Sequence, residues 1–162
     1  NIKKRFKMNL GFHGHNNFGT AVWNSVIAHQ CGAKIIDASI KGFGAGAGNT
    51  QLDILATVMA KFNIKTDINL NKLYTLAKIF PTYFKKTKIK YKNPYSEPKN
   101  IMSANYGLFS GFASKVDYYS DKLNLDDIEA FKAIGKKKLV AGQEDLIINA
   151  LYNLKKKNKS NK

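Results

Sequence analysis

Two histidines one residue apart, His13 and His15, end an apolar run, Met8-Asn9-Leu10-Gly11-Phe12. The run reads as a buried strand over 8–13, and side chains two apart in a strand share a face. His13 and His15 then project together while Gly14 turns away. Paired imidazoles can form half of a divalent-metal site, each giving one ring nitrogen and fixing its tautomer through the other. The same spacing also fits two hydrogen-bonded or solvated histidines. A second stretch with chemical potential is Gly42-Phe43-Gly44-Ala45-Gly46-Ala47-Gly48-Asn49. Glycines before a helix N-terminus can cradle a phosphate, make a tight strand-to-helix turn, or let backbone approach a small bound acid. The dinucleotide fingerprint fits poorly, because its acidic residue should end a second strand and Asp67 is not so placed. The Walker lysine is absent. Taken by itself, the stretch reads as a turn.

These residues need elements to hold them. Residues 20–31 predict a helix, with Val22, Val26 and His29 near one face and Gly32 as its stop. His29 reads as structural. Lys34 to Ser39 reads as a second strand. Leu52, Leu55, Ala56, Met59 and Phe62 recur at steps of three and four, the mark of one helical face. Thr50 with Asp53 resembles a capping box in front of that helix. Strand, helix, strand, helix with short connections is the signature of a parallel α/β unit. Residues 70–84 continue as helix and end near Pro81. Lysine and proline then dominate 85–102, which reads as a linker between a unit over 1–84 and a helical unit over 103–155. Helices are expected there at 103–121, 125–134 and 143–155, the second capped by Asn124 and closed at Gly135. The lysine-rich tail, 156–162, is expected to be disordered. Two βα units cannot close a sheet, so the chain reads as the C-terminal part of something larger, or as one whose partner strands come from elsewhere.

Composition narrows the classes. A chain of 162 residues with 44% hydrophobic content can bury a core. No run of about 18 apolar residues exists, so no membrane helix is expected. Cys31 is the only cysteine, which fits a reducing, cytoplasmic setting. The net charge of +16 invites a nucleic-acid reading. Against it, Arg5 is the only arginine among 27 basic residues, and phosphate and base recognition favours the arginine fork. Abundant Lys, Asn and Ile point instead to solvated lysine faces, with no specific nucleic-acid partner.

Taken together, the motifs carry a more specific signal. His13-Gly14-His15-Asn16-Asn17-Phe18-Gly19 followed by Ala21-Val22-Trp23-Asn24-Ser25 resembles the metal-binding strand and helix of the pyruvate-carboxylate-domain metalloenzymes. These are TIM-barrel lyases and synthases that include 3-hydroxy-3-methylglutaryl-CoA lyase. Asp37-Ala38-Ser39 with the glycine loop, and Gly142-Gln143-Glu144-Asp145 near the end, are similar to the 4-hydroxy-2-oxovalerate aldolase branch. The resemblance runs from about residue 8 to about residue 154. It implies an α/β chain made of the last two βα units of a (β/α)8 barrel, followed by a small all-helical domain that contacts an acylating aldehyde dehydrogenase.

The implied reaction is metal-dependent retro-aldol cleavage of a 4-hydroxy-2-oxo acid to pyruvate and a short aldehyde. By resemblance, His13 and His15 ligate a divalent metal, typically manganese, and His13 also touches the 2-oxo acid. Asn49, Asn17, Gly46 and Gly48 support the site. Phe109, in Asn105-Tyr106-Gly107-Leu108-Phe109-Ser110, falls where the family has a substrate-contacting tyrosine. No catalytic base or enolate-stabilising arginine is expected within this chain; Arg5 is not that arginine, and the chain alone is expected to be inactive. Two alternatives stand beside this reading. A Claisen-type synthase joining an acyl-CoA to a 2-oxo acid shares the metal strand, but usually has Asp where Asn17 stands. A non-catalytic basic assembly module would use the lysine surface.

Overall fold

The computed structural model describes residues 5, 8–85, 87 and 97–160. The chain divides into two compact units, Asn1–Tyr95 and Ser96–Lys162. No helix among the described residues is long and apolar enough to cross a membrane.

In the first unit, β1 (Gly11–His13) and β2 (Ile35–Asp37) pair in parallel, with Gly11 opposite Ile35, Phe12 opposite Ile36 and His13 opposite Asp37. The crossover between them is α1 (Ala21–Gln30). After β2 come a 3-10 turn (Ile40–Gly42), the glycine loop, α2 (Leu52–Lys61) and α3 (Leu70–Lys85). Alternation along each strand divides the sheet into two faces. Ile36 packs against Val26, Leu55 and Met59 of the helices. Gly11, His13, Ile35 and Asp37 occupy the opposite, exposed face.

Three expectations for this unit are corrected. The strands are shorter than 8–13 and 34–39; Leu10 contributes only its carbonyl, which accepts the amides of Lys34 and Ile35. Thr50 and Asp53 form no capping box. Gln51 stands at the N-cap of α2, and Asp53 instead accepts the amide of Lys41 at 3.0 Å from the 3-10 turn. Finally, α3 runs through Pro81 to Lys85. A proline inside a helix forfeits one backbone bond and costs about 3 kcal/mol. Phe80 and Phe84 straddle it one turn apart and both meet the ring of Phe43, at 6.1 and 5.1 Å between centroids. That shared packing holds the two sides of the proline in one helix.

The second unit is all helical among its described residues: α4 (Pro98–Asn105), a 3-10 turn (Ser110–Phe112), α5 (Ala113–Leu123), α6 (Asp127–Gly135) and α7 (Glu144–Ser160). Its core joins Phe112, Val116, Leu123, Phe131, Ile134, Ile147 and Leu151. The expected helix 103–121 is broken, because Gly107 turns left-handed at φ 69° and Phe109 is extended. The C-terminal end of the expected linker is helix as well: Pro98 takes the first helical position of α4, where a missing N–H costs nothing. Residues 86 and 88–96 of that linker lie outside the described residues. Asn124 does not cap α6; it ends α5 in the left-handed conformation, and Asp126 is the N-cap, accepting the amide of Glu129 at 2.9 Å. Nor is 156–160 disordered. It completes α7, where Asn158 donates to Glu129 at 3.0 Å and lysines face the negative end of the helix dipole. Residues 161 and 162 lie outside the described residues.

Lys99 links α4 to α5: its Nζ lies 2.9 Å from Glu97 and 3.2 Å from Asp117. The hydrogen bond to Glu97, and with it the bond to and charge of Asp117, raises the Lys99 amine above its ordinary 10.5 against the opposing effect of burial. A raised amine stabilises the fold fully below its unfolded value and loses that contribution as pH climbs through the folded value. Lys99→Gln is therefore expected to lower stability by up to about 1 kcal/mol at neutral pH, the partners being partly exposed. In urea titrations the gap from wild type should close only above about pH 10.5. Phe131→Ala empties a fully buried position in the second unit's core. It should cost about 3–5 kcal/mol, read as a lower urea midpoint.

Candidate metal centre

His13 ends β1 directly opposite Asp37. Its Nδ1 lies 3.3 Å from Asp37 Oδ2, with the two side chains 48% and 65% exposed. A carboxylate at that distance favours the proton on Nδ1 and leaves Nε2 as the electron-pair donor. The ring of His15 meets that of His13 edge to face, with centroids 5.0 Å apart and planes at 77°. The two imidazoles thus sit side by side on the exposed end of the strand.

Beyond Gly14, the backbone of His15 pairs antiparallel with Asn49. Two bonds bracket that pair: Asn16 donates to Gly48 O at 2.9 Å, and Thr50 donates to Gly14 O at 3.0 Å. The glycine loop is therefore stitched to the histidine segment. Gly46 and Gly48 take φ of 62° and 89°, which lets the loop double back to make this pairing. Asn49 donates its amide to Phe43 O at 3.2 Å, while its Oδ1 is buried with no hydrogen-bond partner among the described residues. A Cβ on Gly44 would come within 2.6 Å of the Asn49 amide, so Gly44 is what admits this side chain.

Of the other residues singled out by sequence, Asn17 is half-buried in the turn between β1 and α1. Its neighbour Asn16 accepts the amide of Ala21 at 3.1 Å and so caps α1. Phe109 belongs to the second unit, where its ring packs on Phe112 at 5.3 Å. Gly142 and Gln143 precede α7, and Glu144 and Asp145 fill its first turn, where acidic groups suit the helix dipole. Asp37 is the residue that reading the sequence missed. Its signal was the parallel register, which sets the end of β2 beside the end of β1.

The donors fit one side of a divalent-cation site: two imidazoles side by side, a carboxylate orienting one of them, and an orphan amide oxygen on the residue paired with His15. Among the described residues no group of three or more His, Cys, Asp or Glu is arranged to hold a metal.

Comparison with known proteins gives this site a context. Residues 1–80 match the family described as HMGL-like. Residues 94–156 match the DmpG-like communication domain. Similar proteins include 4-hydroxy-2-oxovalerate aldolases from Burkholderia pseudomallei, 43% identical over 141 residues, and Pectobacterium atrosepticum, 44% identical over 151 residues. The first match covers 87% of this chain and 39% of the relative, the second 93% and 43%. A third, from Spirochaeta aurantia, is 37% identical, covering 95% of this chain and 44% of that protein. The chain thus spans less than half the length of these relatives. A crystal structure of the N-terminal domain of a candidate aldolase from Bacteroides vulgatus superposes with a TM-score of 0.57 and 26% identity, covering 71% of this chain and 36% of that one.

The Asp37–His13 contact makes a local prediction. Asp37→Ala should leave the melting temperature within about 2 °C, since exposed ion pairs contribute little. It should redistribute the His13 ring proton between Nδ1 and Nε2, read from the imidazole nitrogen shifts by NMR.

Proposed function

We propose that this chain carries the metal-binding strand end and the partner-docking domain of a class II aldolase, one that cleaves a 4-hydroxy-2-oxo acid of the 4-hydroxy-2-oxopentanoate type to pyruvate and a short aldehyde. The observation that carries the reading is the His13–His15 pair, oriented by Asp37 at the C-terminal end of a parallel strand. It occurs in a chain 37–44% identical to proteins named 4-hydroxy-2-oxovalerate aldolase. Strand C-terminal ends are where barrel enzymes gather their reactive groups. The two βα units are accordingly assigned as the last two of a (β/α)8 barrel, and the helical unit as the domain that docks an acylating aldehyde dehydrogenase.

His13 and His15 would hold the cation, with manganese the assigned metal. When bound, a divalent cation supplies Lewis-acid stabilisation of the charge that develops as the carbon–carbon bond of a 2-oxo acid breaks. Asp37 keeps the His13 proton on Nδ1, away from the reacting side. Asn49, its side chain anchored through Phe43 O and its backbone paired with His15, would support the site. The base that takes the 4-hydroxyl proton and the cation that steadies the product enolate are assigned to residues beyond these 162.

The natural protein containing this chain, supplied with Mn²⁺, should release pyruvate from 4-hydroxy-2-oxopentanoate in a coupled lactate dehydrogenase assay. His13→Ala and His15→Ala should each lower the rate by more than about 100-fold and weaken Mn²⁺ binding. Failure to release pyruvate from any 4-hydroxy-2-oxo acid tried would overturn the reading. Deleting residues 97–160 should abolish co-purification with the acylating dehydrogenase.

A further inference from the structure

Thr50 and Ser25 are fully buried and stand in different segments, the end of the glycine loop and the middle of α1. Ser25 Oγ lies 2.8 Å from the carbonyl of Ala21 and 2.9 Å from Thr50 Oγ1. The shortest arrangement sends the Ser25 proton to Ala21 O and the Thr50 proton to Ser25 Oγ. Thr50 is thereby tied to α1 through its side chain. Its backbone amide meanwhile donates to Gly14 O at 3.0 Å, the carbonyl between the two histidines. Gly14 is itself buried, and a Cβ there would come within 2.9 Å of the Phe12 ring and 3.1 Å of Thr50 Oγ1. The Phe12 ring and Thr50 therefore both close on the backbone of the histidine turn at Gly14.

We infer that Thr50 is a positioning residue: its hydroxyl, latched to Ser25, fixes the backbone at Gly14 and with it the mutual geometry of His13 and His15. A buried polar pair serves no packing purpose that a Val–Ala pair would not serve as well, and it must satisfy its hydrogen bonds inside the fold. What it adds is direction, because a hydroxyl–hydroxyl bond fixes the spacing of two segments in a way that methyl contacts do not. The role follows from the chain's own bonds. Its bearing on metal affinity rests on the reading of His13 and His15 as ligands.

The test uses the full chain with Thr50→Val, which keeps the branched shape and removes the hydroxyl, Thr50→Ser, which keeps the hydroxyl, and Ser25→Ala. Without metal, Thr50→Val and Ser25→Ala should shift the His13 and His15 ring-proton resonances. The amide at position 50 should exchange at least about 10-fold faster in Thr50→Val. Thr50→Ser should restore both readouts to wild type. With Co²⁺ as the probe, followed by its visible absorption, Thr50→Val should bind about 10–100-fold more weakly and Thr50→Ser within about 2-fold of wild type. Gly14→Ala, which forces the turn away from Thr50, should reproduce the ring shifts and the weak Co²⁺ binding of Thr50→Val. Unchanged ring resonances in Thr50→Val, or loss in Thr50→Ser equal to that in Thr50→Val, would overturn the latch. Shifted rings with no Co²⁺ binding even by wild type would leave the latch standing and strike only its bearing on metal affinity in this chain.

Discussion

Parallel pairing of β1 with β2 is the constraint on which the first unit depends. It is short, three residues on each strand, yet it decides three things together. It sets Asp37 beside His13, it sends Ile36 into the helical core, and it starts the glycine loop at the level where His15 can pair with Asn49. A slip of one residue would turn His13 toward the helices and Phe12 toward solvent. Hydrophobic burial beneath the sheet resists that slip, because Val26, Leu55 and Met59 are placed to receive Ile36. The chemistry of the exposed face is therefore guarded by packing on the other one.

The two units reach order by different routes. The second has a contiguous core of large side chains contributed by α5, α6 and α7 with the preceding 3-10 turn. Among the described residues, the first has Val26, Leu55 and Met59 as the buried centre of its cluster, and it relies more on polar stitching. Ser25 with Thr50, Asn16 with Ala21, Asp53 with Lys41 and Asn49 with Phe43 all join segments that apolar contact alone leaves loosely specified. Directional bonds suit a region whose task is to place a few side chains, whereas a close-packed core suits a docking scaffold.

Much of this was legible in the residues. The α/β order, the juxtaposition of His13 with His15 and the stop after α1 before Gly32 all follow from periodicity and turn chemistry. The misreadings have local causes. Pro81 is a sound helix-stop signal by itself, but the helix runs through it where Phe80 and Phe84 both pack on Phe43. Pro98 looked like linker because its value as a first helical residue depends on the core that α4 packs against. Thr50 passed for a cap because cap residues and buried latch residues are the same short hydroxyl side chains; burial alone separates them, and burial is not written in a single sequence. Asp37 escaped for a related reason. A carboxylate 24 positions after a histidine means nothing until strand register brings them together.

The open face and free edges of this small sheet bear on how the chain behaves in solution. Among the described residues each strand has one partner, so each presents a row of unpaired backbone groups beside an exposed Ile35. Such edges template pairing between molecules. Two features oppose it here. Three-residue strands give little length to pair with, and a net charge of +16 keeps copies of the chain apart at low salt. That repulsion is screened as ionic strength rises. The lysines scattered over this fold, silent in its chemistry, thus act as a colloidal guard whose strength the surrounding electrolyte sets.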